Sequence, residues 1–234
     1  MRRCSIALAA VMLVAAPAGS FGGLALAQTP PNRTDIMGYK GLLSSVIREN
    51  VEETRRLLAS GADPNMADAD GRTPLIVAAH RGQIELARVL AAGGANVNAK
   101  DKQRYDIVTI AAVNDDVAFL KAALALGCDA KNITSPYDGT ALIAAAHLGH
   151  HRSVAELIMA GAPLDHVNNI GMTALIEAIT LGDGGAKHQA TAKLLLDAGA
   201  NPNLADRTGA TPLTLARSRG YGAMADMIIR AGGR

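Results

Sequence analysis

Three histidines, His147, His150 and His151, stand close together in this chain, and two of them are four residues apart. On one continuous helix that spacing puts two imidazoles on one face, where they could chelate a metal ion. Gly149 falls between them, where a helix should end, and no Cys or carboxylate completes a ligand set at a familiar spacing. They read as structural or surface histidines, and no metal site is expected. Cys128 is a nucleophile only in principle, because no base with its orienting group lies at a recognisable spacing around it. The Gly182 to Gly185 segment lacks the Lys-Ser/Thr that follows in a phosphate-binding loop, and it follows a helical rather than a strand-like stretch. Asn132-Ile133-Thr134 matches a glycosylation acceptor, but three-residue matches arise by chance. No catalytic residue and no cofactor is expected. The alternative is a metal-binding or enzymatic protein that uses the His147/His150/His151 region and the 182–189 loop.

The elements that would hold these residues follow from composition. Hydrophobic residues make up 49% of the 234, yet aromatics only 3%, and Trp is absent. A core without large rings suits thin layers of closely packed helices better than one thick core. The first residues form a separate unit: Met1-Arg2-Arg3, an apolar run from Ile6 to Ala16, then Ala25-Leu26-Ala27 at the small-residue positions read by signal peptidase. Pro17, Gly19, Gly22 and Gly23 interrupt the run well short of the roughly 20 residues of a membrane span. Cys4 precedes the apolar run and is not placed as a lipoprotein cysteine. The expectation is a signal peptide over 1–27, a mature chain from near Gln28, a periplasmic or secreted location, and no stable membrane insertion after cleavage. Cleavage would remove two of the 23 basic residues and none of the 21 acids, leaving a formally neutral protein. Neutrality argues against nucleic acid as a partner. Only Cys128 would remain, so stability must come from packing rather than from an internal disulfide.

Self-similarity is the strongest signal. Gly61, Gly94, Gly127, Gly161, Gly199 and Gly232 are spaced by 33, 33, 34, 38 and 33 residues, each after an apolar helical stretch. Glycine just past a helix end suits a left-handed C-cap. In phase with them run Thr73-Pro74-Leu75, Thr140-Ala141-Leu142, Thr173-Ala174-Leu175 and Thr211-Pro212-Leu213, with Thr as N-cap and Pro or Ala opening the helix. Paired alanines follow. Gly-x-Thr-Pro-Leu, paired alanines and Gly-Ala-Asp/Asn at a 33-residue period resemble the ankyrin repeat, over about 35–234. The resemblance implies an all-α ankyrin-repeat solenoid of stacked helix-turn-helix units with hairpin-like turns. Its copies would span about 36–68, 69–101, 102–135, 136–168, 169–206 and 207–234, after a flexible 28–35 segment. The first copy lacks the Thr-Pro-Leu signature and reads as a cap. The third has Asp106-Ile107-Val108 in its place. The fifth carries five extra residues within Gly182 to Gln189, and the sixth closes the stack.

The resemblance also implies what the scaffold does: it binds a protein through turn tips and the exposed ends of the first helices, along the concave side. Carried over by position, these are Asp70, Arg72, His80 and Arg81; Lys102, Gln103, Tyr105 and Asn114; Tyr137, His147 and Leu148; Asn169, Ile170 and Met172; and Arg207, Thr208 and Arg219. Tyr105 and Tyr137 fall in neighbouring tips, where packing is expected to need no aromatic, and Tyr and Arg are common binding hot spots. Otherwise these are ordinary solvated turns and a partner uses another face. Lys187, His188 and Gln189 in the inserted loop are a second candidate, since loops on a rigid scaffold commonly carry function; simple drift is the alternative. The partner's identity, and whether binding protects, inhibits or assists an exported enzyme, is outside what these residues specify.

Overall fold

The computed structural model describes residues 28–234, so the expected leader lies outside the described residues. Twelve of the thirteen helices among the described residues form six pairs. In chain order they are α2 (Gly41–Ile47) with α3 (Val51–Ala59), α4 (Pro74–His80) with α5 (Ile84–Ala92), and α6 (Ile107–Val113) with α7 (Val117–Ala125). Then come α8 (Ala141–His147) with α9 (His151–Met159), α10 (Ala174–Thr180) with α11 (Ala186–Asp197), and α12 (Pro212–Ser218) with α13 (Gly222–Arg230). A short helix, α1 (Arg33–Gly38), precedes them. No strand occurs among the described residues; the only sheet-like pairing among them is an isolated bridge between Thr134 and Gly139.

The first helix of each pair has seven residues, too short to persist alone in water. Local signals only define its ends. Thr73, Thr140, Thr173 and Thr211 each accept a hydrogen bond from the backbone N–H three residues on. Asp106 does the same for α6, so the departure from Thr in the third copy preserves the cap. At the far end of the second helix, Gly94 takes φ +91°. It lets the Ala95 N–H reach the Leu90 carbonyl and its own N–H reach that of Ala91, the paired bonds of a Schellman cap.

Stability comes from stacking. First helices pack on first helices and second on second, in two rows. Ala78, Ala111, Ala145, Ala178 and Ala216 form one line of fully buried methyls along the first row. Their small size lets the helix backbones approach closely, while Leu75, Leu142 and Leu175 of the first row and Phe119 and Leu157 of the second are buried in the core. The first pair holds a buried polar contact, and the last pair is polar on its outer face. Ser45 stands in the alanine line of the first pair and accepts a hydrogen bond from Thr54 at 2.8 Å. In the last pair, Thr214 and Arg217 are exposed where Ile176 and Ile179 of the preceding pair are buried.

The segment before the repeats carries a short helix and hydrogen bonds to the first tip. Asn32 caps α1 in a capping box with Asp35. Asp35 and the Thr29 carbonyl are then held by Arg72, 2.7 and 3.1 Å away.

A ladder of side chains joins successive repeats at the glycine turns. The Oδ1 atoms of Asn65, Asn98, Asp165 and Asn203 accept from the backbone N–H groups of Asn96, Asp129, Asn201 and Arg234, at 2.7 to 3.0 Å. Between the third and fourth repeats the acceptor position holds Lys131 and the donor position Pro163. Lys has no acceptor and Pro no N–H, so the rung is missing from both sides and neither orphans the other. In a double-mutant cycle, Lys131→Asn and Pro163→Asn should couple favourably by about 1 kcal/mol in urea unfolding. Additive single effects would mean that no rung forms.

Candidate functional site

The turn tips are built on one plan. Asp68, Asp101, Asn168 and Asp206 each accept, through a side-chain oxygen, the N–H four residues on, which closes the loop. Each tip then bonds to the next. The Lys102 N–H donates to Asp70 O at 2.9 Å, Ser135 N–H to Arg104 O at 3.2 Å, Asn169 N–H to Tyr137 O at 2.8 Å, and the Arg207 guanidinium to Asn169 O. Where Gly171 takes φ +85°, the third tip has Arg104 at φ +68°, left-handed despite its side chain. Its guanidinium pairs with Asp138 of the next tip at 2.6 Å.

The expected contact residues divide. Lys102, Asn114, Asn169, Ile170, Arg207, Thr208 and Arg219 are exposed, as is Asp70, and Tyr137 and Met172 are half-buried. Arg81 is exposed and pairs with Glu49 at 3.2 Å. Arg72 and Tyr105 are corrections. Arg72 is 1% exposed and bonds Asp35, Asp68 and Asp70, with Tyr39 donating to Asp68 as well. Tyr105 is 4% exposed and packs in the core, so an aromatic in that tip does serve packing. His80 is also turned inward, with its Nε2 buried, and Gln103 buries its side-chain oxygen.

The inserted stretch is a correction too. Lys187, His188 and Gln189 are not loop but the first turn of α11, twelve residues long where the other second helices have nine. Only Lys187 is exposed. His188 Nδ1 lies 2.9 Å from Asp183, and its Nε2 lies 3.1 Å from the His147 carbonyl in the preceding repeat. Gln189 donates to Gly184 O, and Tyr221 of the following repeat donates to Gly182 O at 3.0 Å. A Cβ at Gly182 would stand 2.2 Å from the Ala178 carbonyl, and one at Gly184 would enter the Tyr221 ring. The insertion therefore clamps the fourth, fifth and sixth repeats together.

The histidines serve separate partners. His150 Nδ1 reaches the Ala112 carbonyl at the end of α6, whereas His147 Nδ1 lies 3.0 Å from Glu177 Oε2. Among the described residues no group of three His, Cys, Asp or Glu is placed to hold a metal. Cys128 is buried with its Sγ 3.3 Å from Val97 O, and burial pushes its thiol up to about 12, in keeping with a small packing residue.

Sequence reasoning missed Leu181 and Glu177. Leu148 and Leu181 are the C-cap residues of α8 and α10, in the row that also holds Arg81, Asn114 and Arg219. They are 38% and 41% exposed, and Ile170 in the adjoining tip is 37% exposed. Glu177 is buried, at a place where Val77, Ile110, Ala144 and Leu215 stand in other copies. That contrast between copies was the available signal for it.

Two rows of short capped helices, glycine-closed turns and bonded tips define a repeat solenoid that displays side chains along its tips and first helices. The chain belongs to the ankyrin-repeat family: the family model for ankyrin repeats (3 copies) matches residues 12–101 and 108–206. It is 41% identical to the ankyrin repeat protein YahD of Escherichia coli (strain K12) over 124 residues, 53% of this chain and 61% of that protein. An ankyrin repeat domain from Acinetobacter baumannii AYE, solved at 1.00 Å, is 40% identical with TM-score 0.78, covering 82% of this chain and 98% of that one. A chain in the structure of a predatory endopeptidase from Bdellovibrio bacteriovorus in complex with an immunity protein shares the fold, at TM-score 0.68 and 21% identity. It covers 82% of this chain and 98% of that one. The chain thus spans less than two thirds of its curated relative YahD. No described helix is long and apolar enough to cross a membrane.

The buried charges give a pH dependence. Burial opposes ionisation of Asp68, but hydrogen bonds from Tyr39 and Arg72 outweigh it and hold the carboxyl below its usual range. A depressed carboxylate stabilises the fold above its unfolded value, and that stability is lost as pH falls through the folded value. Burial, with the Arg72 charge, lowers His80 from 6.5 to about 4. A histidine kept neutral by the fold likewise costs stability as pH falls through that window. The urea midpoint should therefore drop from pH 6.5 downward, and His80→Leu should flatten the part above pH 4. Arg72→Met should cost about 3 kcal/mol at neutral pH by stranding its carboxylates; an unchanged midpoint would show that the cluster contributes nothing.

Proposed function

We propose that the mature chain is an exported binding module that captures a protein in the cell envelope on the side lined by its tips and first helices. The observation that carries this reading is the pair Leu148 and Leu181. These large apolar side chains are left in water at the C-terminal ends of the first helices of adjacent repeats. Apolar groups exposed together on a rigid surface mark interaction sites more often than scattered ones do. The bonded tips and the clamped insertion support it further, because a preorganised surface loses little ordering entropy on binding. Arg207, Arg219, Asn169, Lys102 and Tyr137 would form the polar surround.

Export rests on the leader residues alone. A client among exported enzymes, which the module would protect, inhibit or assist, accords with the immunity-protein complex, although that likeness is one of fold. A pull-down of the tagged mature chain from its own envelope extract should enrich one protein. The Leu148→Ser/Leu181→Ser variant should lose it by about tenfold or more without a change in thermal unfolding. Equal capture by both forms would remove this surface from the reading. Mass spectrometry of the exported protein should find an N-terminus near Gln28; recovery of the intact chain from membranes would overturn the cleaved leader.

A further inference from the structure

Two positions at the junction of the fourth and fifth repeats depart from the other copies, and both lead to His147. Glu177 puts a carboxylate where the other signature-bearing copies have an apolar residue or Ala. Asn168 puts an amide where three other tips have Asp. His147 ends the helix packed beside it. The three are bonded in series. Asn168 Nδ2 donates to Glu177 Oε1 at 3.0 Å, and Glu177 Oε2 lies 3.0 Å from His147 Nδ1. The Glu177 side chain is 5% exposed and that of His147 is 26%. An Asp at position 168 would set two carboxylates against each other; the amide instead closes its own tip with Oδ1 and holds Glu177 with Nδ2.

Burying a carboxylate costs free energy unless it is paired, and the other copies manage without one. What the arrangement achieves is to fix one imidazole. With Nδ1 engaged, Nε2 of His147 takes no hydrogen bond among the described residues, and the side chain is partly exposed, next to exposed Leu148 and one repeat from exposed Leu181.

We propose, building on the binding surface argued above, that His147 is a recognition site for an acidic side chain of the partner protein. The partner would set that side chain beside an apolar residue that packs on Leu148 and Leu181. A carboxylate at Nε2 places the imidazole between two carboxylates, the arrangement in which both ring nitrogens donate. Glu177 is a positioning residue: it orients the ring and balances its charge once the partner has excluded water. Unpaired, exposed Arg219 in the same row adds positive charge on the side of the last repeat.

The test is selection of a phage-displayed dodecapeptide library on the mature chain, followed by affinities of the recovered peptides for variants. Recovered peptides should share an acid near a large apolar residue. His147→Ala and Glu177→Val should each weaken them by about tenfold or more. Glu177→Val alone would leave the buried Asn168 amide without its acceptor, so it is also made together with Asn168→Asp, the pair the second copy carries as Asp68 and Val77; thermal stability of that double variant should hold, which separates loss of recognition from loss of fold. Peptides without a shared acid, unchanged affinity for either variant, or no recovered peptide would overturn the proposal. If binding survives His147→Ala but is lost in Leu148→Ser/Leu181→Ser, the acid site fails while the binding surface stands. If it survives both, both fail.

Discussion

A helix of seven residues gains too little from its own hydrogen bonds to offset the ordering of its backbone, so in this chain every first helix exists because another lies against it. The line of buried alanines sets how close they come. A larger side chain at Ala111 or Ala145 would force neighbouring backbones apart and shift every tip beyond it. The tips inherit their spacing from that contact, about 10 Å per repeat for helices packed this closely, and the backbone bonds between tips fix it. The binding row of Arg81, Asn114, Leu148, Leu181 and Arg219 is thus a readout of helix packing, with chemistry chosen at each step.

Among the charged side chains buried in this apolar interior, Arg72 and Glu177 play different parts. Arg72 gathers Asp35, Asp68 and Asp70 and so fastens the residues ahead of the first repeat. Its guanidinium is held charged because its hydrogen bonds to Asp68 and Asp35 outweigh the cost of burial. Glu177 fastens nothing distant. It meets one imidazole and one amide at the junction of the fourth and fifth repeats, and the clamp formed by His188 and Tyr221 ties the fourth, fifth and sixth together.

Periodicity revealed the architecture, because caps and closing glycines are local: Thr73 or Gly94 is recognised from its immediate neighbours. Even the degenerate third copy kept its cap by exchanging Thr for Asp106. Burial within a tip was less legible. Arg72 lies at a place where tips are usually solvated, and what buries it is a segment 37 residues earlier that carries no repeat signature. Tyr105 follows the left-handed Arg104, and nothing in the spacing says that the next side chain turns into the core. The inserted glycines suggested a free loop, since a string of glycines looks the same whether it moves or is pressed against a carbonyl and a ring. Leu181 and Glu177 would have emerged from comparing the copies position by position rather than from seeking the motif.

A stack of like units has a front and a back that fit each other, which is also the geometry of an unending filament. Here the last repeat is not left sticky. It shows Arg217 and Thr214 to water. Joining one molecule's last repeat to another's first would bury a guanidinium without an acceptor, at a cost no alanine contact would return. That polar face thus acts as a stopper against head-to-tail polymerisation.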